Sequence, residues 1–183
     1  MKNQNGFTLT ELLVVMVIGS IVIAGAFGSY VSQQKAYTIT ESATFLQQNL
    51  RAAMYFIEKD LRMAGFNPKK EASFGFTSVL ADSFSITKDI GSSNSANDEN
   101  GAVDAGETIT YDVDSNNLRR NTGGGPLVIA ENITDMTLQY FDSNGNTTTD
   151  GNSVRSVFLT LSASDGDRSR SLSALIKCRN MGL

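Results

Sequence analysis

The sequence predicts an α+β protein: one long N-terminal helix, membrane-spanning in its first half, packed on a C-terminal antiparallel β-sheet. Three observations carry this. The apolar stretch from Phe7 to Phe27 holds a single charge, Glu11. It is followed by apolar positions in steps of three and four, Phe45-Leu46, Leu50, Ala53-Met54, Ile57, Leu61 and Ala64, which form one stripe on a helix. Beyond residue 108 apolar and polar residues alternate in short runs divided by Gly, Asn and Asp, the pattern of half-buried strands and turns.

The first element is the apolar run itself. Its 21 residues make roughly 32 Å of helix, against a bilayer core of about 30 Å. A carboxylate within such a span costs on the order of 2.5–3.5 kcal/mol and marks a function with a partner charge. The question posed by Glu11 is therefore what neutralises it. A short polar leader with one cation, Lys2, precedes the run and places the amino terminus on the cytoplasmic side by the positive-inside tendency.

The totals narrow the function classes. A chain of 183 residues allows one modest domain plus a membrane helix. A net charge of −4 offers no broad basic field, so nucleic acid is not an expected partner. There is no histidine and one cysteine, Cys178, which removes Ser-His-Asp chemistry, Cys-His nucleophiles and the usual zinc sites. No catalytic constellation is present, and no enzyme activity is expected. One cysteine makes no internal disulfide; Cys178 reads as a small buried apolar residue, with an intermolecular bridge as the alternative.

Gly6-Phe7-Thr8-Leu9-Thr10-Glu11-Leu12 resembles the cleavage and methylation site of type IV prepilins and the related type II secretion pseudopilins. The resemblance implies a pilin-like fold and a membrane prepilin peptidase that cuts between Gly6 and Phe7 and methylates the new Phe7 amine. It also implies that Glu11 meets the Phe7 amine of a neighbouring pilin or pseudopilin during subunit assembly. Thr10 stands where an aliphatic residue is commoner. The implied partners are other pilins, the inner-membrane assembly platform, and the lipid bilayer before assembly. The implied divisions are a leader peptide at 1–6, a membrane and fibre-core helix half at 7–28, an amphipathic half at 29–64 and a periplasmic β-rich domain at 65–183. A competing reading is an ordinary signal peptide: Ala24-Gly25-Ala26 has the small-x-small form of a secretory cleavage site, and cutting there would release a soluble domain.

The helix is expected to continue from about Thr8 to Ala64. Gly65 and Asn67-Pro68 supply its stop. Gly19, Gly25 and Gly28 permit close helix approach in lipid. Major pilins usually carry a proline near the end of the span; Gly28 occupies that region here, which fits an accessory subunit. The segment from Asp60 through Leu61-Arg62-Met63-Ala64-Gly65-Phe66-Asn67-Pro68 is similar to that of PilW-like minor pilins.

One or two weak strands are expected between Ser73 and Ile90. Gly91 to Gly106 is a polar acidic segment, and Asp98, Asn100, Asp104 and Glu107 are its candidate cation ligands. The EF-hand template fails: Ala102 stands at a ligand position, Val103 replaces the required glycine, and Ile109 replaces the closing glutamate. A solvated acidic loop is the plain reading, with no cofactor; a calcium site of another geometry stays open. Ile109, Tyr111 and Val113 share one strand face, and Asp114-Ser115-Asn116-Asn117 turns the chain. Strands carrying Met136, Leu138 and Tyr140, then Val157, Leu159, Leu161 and Ala163, then Leu172, Ala174, Ile176 and Cys178, complete an expected meander under the helix stripe. Asp142, Asn144 and Asn146 hint again at cation binding. Arg168-Ser169-Arg170, Lys177 and Arg179 form a basic cluster that reads as a solvated strand face.

The sequence thus predicts a single-pass inner-membrane precursor with a periplasmic domain, incorporated later into a fibre or the cell surface. The function expected is a minor type IV pilin that helps to initiate or cap assembly. A minor type II secretion pseudopilin, or an exported soluble β-domain, is the alternative.

Overall fold

A computed structural model describes residues 6–70, 73–90, 101–166 and 168–182. The chain divides into two compact units, Met1–Ser42 and Ala43–Leu183. One helix, α1 (Leu9–Met63), contributes to both. In the first unit no described residue is buried, and α1 is long and apolar enough to cross a membrane. Leu12, Val15, Ile18 and Ile23 all lie exposed, a condition that water penalises and lipid or other helices relieve.

The second unit builds one core. The predicted stripe is buried almost residue for residue: Leu46, Leu50, Ala53, Met54, Ile57, Leu61 and Ala64. Phe45 alone faces out. The helix stops at Gly65, whose φ of +78° is the left-handed conformation that glycine adopts without a Cβ clash. The Gly65 N–H turns away to donate to Thr87 O at 3.0 Å.

Among the described residues eight strands follow: β1 (Phe76–Val79), β2 (Phe84–Thr87), β3 (Thr108–Asp114), β4 (Asn117–Asn121), β5 (Pro126–Glu131), β6 (Ile133–Phe141), β7 (Ser156–Asp165) and β8 (Arg168–Lys177). All pairings are antiparallel between sequence neighbours. The β3–β4 hairpin turns on Ser115 and Asn116, both at positive φ, as a two-residue turn matched to strand twist requires.

The single meander expected from the alternation is in fact two sheets, β1-β2-β3-β4-β5 and β6-β7-β8. The break has a local cause. Only Asn132 separates β5 from β6, too short a link for a hairpin, and its φ of +59° redirects the chain. The Ile133 N–H bonds Asn116 O and the Ser164 N–H bonds Asn132 O, each at 3.0 Å, so the corner is held from both sides.

The two sheets share aromatic packing. Phe84 stacks on Tyr111 with centroids 5.1 Å apart, and Phe76 meets Tyr140 edge-on at 5.8 Å. The Tyr140 hydroxyl donates to Leu80 O at 2.7 Å, and burial raises its pKa above the ordinary phenol value. Cys178 is buried, as its expected place on the inner face of the last strand implied, although β8 ends one residue before it at Lys177. Burial pushes its thiol up to about 12, against the smaller opposing pull of Arg155.

Candidate processing and assembly site

The sequence places Gly6, Phe7 and Glu11 at the head of α1, and the structure shows how Thr8 and Glu11 are tied there. The Glu11 carboxylate accepts from the Thr8 main-chain N–H and from its hydroxyl, each at 2.9 Å. The Glu11 N–H reaches back to Thr8 Oγ1 at 3.3 Å. This reciprocal pair is a capping box, with Thr8 as N-cap and Glu11 three residues on. It satisfies main-chain N–H groups that the first helical turn leaves open. Thr-x-x-Glu is the sequence signature of that box, and reading Glu11 only as a stranded charge missed it. Both side-chain bonds to Glu11 use Oε2; Oε1 has no partner among the described residues.

Phe7 is 92% exposed. A Cβ added to Gly6 would meet nothing within 4 Å, and Gly6 does not adopt a left-handed φ. Among the described residues, neither space nor backbone conformation calls for glycine at this position.

A second charged group lies inside the globular unit. Asp60 falls in step with the apolar stripe, three residues after Ile57, and is 4% exposed. Its Oδ1 accepts from Lys88 Nζ at 2.8 Å. Its Oδ2 accepts from the Tyr111 hydroxyl at 2.6 Å and from Arg120 Nε at 2.8 Å. Burial alone would push the Asp60 carboxyl up, but bonds from Arg120, Lys88 and Tyr111 outweigh it and hold the group below the usual carboxylate range. These partners join α1 to the end of β2, to β3 and to β4. The available signal was an acid on a helix stripe that is otherwise apolar; the plain reading of this segment as a helix stop omitted it.

The acidic segment is only partly described. Asp98 and Asn100 lie outside the described residues. Glu107 is buried rather than solvated: Oε1 accepts from the Ile90 N–H at 3.1 Å and Oε2 from the Asp104 N–H at 2.7 Å. Among the described residues no three acidic, cysteine or histidine side chains gather as a metal group. At the other acidic turn, Asp142 Oδ1 accepts main-chain N–H groups of Asn144 and Asn146 at 2.8 and 2.9 Å, so donors occupy the place a cation would take. The Asn146 N–H, then that of Asn144, hold Asp142 below its ordinary pKa. In the glycine-rich loop, Asn121 Oδ1 accepts from Gly123 and Gly125, which closes the loop without a ligand.

An exposed apolar helix with a capped N-terminal glutamate, leading into a helix stripe packed on antiparallel sheets, is a pilin-like α+β architecture. Residues 1–27 match the prokaryotic N-terminal methylation motif, and residues 40–153 match the model of prepilin peptidase-dependent protein B. The second match covers more than half of the chain, and the chain belongs to the prepilin peptidase-dependent protein B family. A comparison with curated proteins gives no match.

Proposed function

We propose that this chain is a minor type IV pilin, of the PilW-like kind, processed by a prepilin peptidase between Gly6 and Phe7 and methylated on the Phe7 amine. The leader would be 1–6, the membrane and fibre-core half 7–28, the amphipathic half 29–64 and the periplasmic domain 65–183. The observation that carries the reading is the match of residues 1–27 to the N-terminal methylation motif. Within it Phe7 is exposed and, among the described residues, nothing crowds Gly6, so both are open to a peptidase.

Glu11 supports the assembly step. One carboxylate oxygen serves its own helix and the other has no partner among the described residues. The methylated amine of a neighbouring subunit remains basic and suits that second oxygen. In the low dielectric of a helical bundle the pair compensates two charges that lipid alone would penalise. Compensation at one axial position sets the stagger between subunits. As a minor subunit it helps to start or cap the fibre rather than fill its shaft. Asp60 has partners enough within its own domain and is assigned a structural role.

Mass spectrometry of the mature amino terminus tests this reading. N-methyl-Phe7 is the expected end. A chain retaining Met1, or beginning at Phe27 after Ala26, overturns it. A minor type II secretion pseudopilin would use the same residues in the same way, and the subunits that co-purify with the cross-linked chain separate the two systems.

A further inference from the structure

We propose that β8 is a docking edge for an extended acidic segment of a partner chain, which joins the three-stranded sheet as a further strand. This goes beyond the assembly function and does not rest on it. Among the described residues the two sheets have four edge strands, β1, β5, β6 and β8. An open edge displays N–H and C=O groups that invite pairing with another chain, so proteins blunt it. Three of these edges are blunted. β1 is four residues long, and Thr77 bulges from its register with β2. β5 opens on Pro126 and bulges at Ile129. β6 bulges at Thr134, and its Ile133 and Leu138 N–H groups are taken by Asn116 O and Ala81 O.

β8 differs in each respect. It runs for ten residues, contains no proline, and pairs with β7 residue for residue without a register shift. Among the described residues no strand lies on its other side. Alternate residues of an antiparallel strand turn their main-chain groups away from the paired neighbour, so β8 offers an unbroken ladder. Apolar surface is open on both faces of its middle. Leu175 is 60% exposed and sits across from Phe158 on the outer face. Leu172 and Ala174 face the core but are only partly buried.

Charge decides the occupant. Cations flank the apolar middle, Arg168 and Arg170 before it and Lys177 and Arg179 after it, with no acid from 168 to 179. None of the four forms an ion pair among the described residues. By register, Asp165 lies opposite Arg168, and Asp135 lies two strands across from Ser171. A second copy is disfavoured as occupant. Two β8 strands paired antiparallel about Leu172-Ser173 would set Arg168 against Lys177, and like charges directly opposite destabilise a pair. A strand with acids at both ends and apolar residues between them meets each cation with an acid and the apolar middle with its own kind. The cations that repel a copy therefore select this partner.

The test titrates the full chain in detergent micelles with the labelled synthetic peptide acetyl-ETVVTVTETE-amide, read by fluorescence anisotropy. Laid antiparallel, its glutamates oppose Lys177, Arg170 and Arg168, and its valines oppose Leu175, Ala174 and Leu172. Saturable binding is expected, at least about tenfold tighter than that of KTVVTVTKTK. N-methylation of one alternate set of peptide amides should abolish binding, and of the other set should spare it. Arg170→Glu/Lys177→Glu, at two exposed positions, should melt as wild type and bind at least about tenfold more weakly. Lys69→Glu/Lys70→Glu, also exposed, should bind as wild type. No saturable binding by the wild type, equal binding of the lysine peptide, or the same response to both N-methylated sets overturns the proposal, whether or not the variants fold. Equal loss in both double variants overturns it as well. Dimers of the chain in sedimentation that the acidic peptide dissociates would make a second copy the occupant and overturn the choice of partner. None of these outcomes alters the mature amino terminus, so failure here leaves the assembly function standing.

Discussion

Tyr111 donates its hydroxyl to the buried carboxylate of Asp60 across 2.6 Å, joining residues 51 positions apart and fixing the helix stripe against β3. Lys88 and Arg120 close on the same carboxylate from the end of β2 and from β4. Removing the acid leaves two cations facing each other in a site with little water. Asp60→Ala should therefore cost about 3–5 kcal/mol, read as the shift in urea unfolding of the detergent-solubilised chain. A loss under about 1 kcal/mol would place the group among ordinary surface pairs. The acid limb follows from the same bonds. Because the folded carboxyl lies below its ordinary value of about 3.9, its contribution is full above that pH and is lost as pH falls through the lower folded value. Melting temperature against pH should fall more steeply below pH 4 in the wild type than in Asp60→Asn.

The capping box separates two roles of Glu11. Gln at the same position still caps a helix but carries no charge. Glu11→Gln should be cleaved normally and should lose incorporation into fibres. Thr8→Ala keeps the charge and weakens the cap by about 1 kcal/mol; it should incorporate normally. Immunoblots of membrane and sheared-fibre fractions read both. Equal incorporation of Glu11→Gln and wild type would remove the intermolecular pair from the mechanism.

Gly6→Leu should accumulate as uncleaved precursor, seen as the higher-mass band, while the melting temperature of its globular unit stays that of the wild type. The open surroundings of residue 6 require the second half of this outcome. Full processing of Gly6→Leu would show that the peptidase cuts elsewhere.

Cys178 should resist alkylation in the native chain at pH 8 and react fully in urea. Its thiol is buried, and burial pushes it up to about 12, so the reactive thiolate is scarce until the domain opens. Rapid native labelling would contradict the buried position.

Local features were legible in the sequence. The stripe from Leu46 to Ala64, the stop at Gly65 and the turn at Ser115-Asn116 depend on residues a few positions apart, and each stands where periodicity and turn chemistry put it. Asp60 was not legible in the same way, because Lys88, Tyr111 and Arg120 are separated from it by 28, 51 and 60 positions. The division into two sheets was hidden for the opposite reason. It turns on Asn132 alone, and one asparagine between two alternating runs looks like any other turn residue. At the N-terminus the Thr8–Glu11 pattern was visible, but the membrane-length run drew attention to the charge and away from the cap.

The empty space around Gly6 has a genetic consequence. On the proposed function, a substitution there should leave the domain folded and the anchor inserted. The expected product is an intact subunit with an unremoved leader, which would engage the same assembly machinery without offering a usable amine. In a cell carrying both versions the altered copy should act dominantly, poisoning fibres that the normal copy alone would complete.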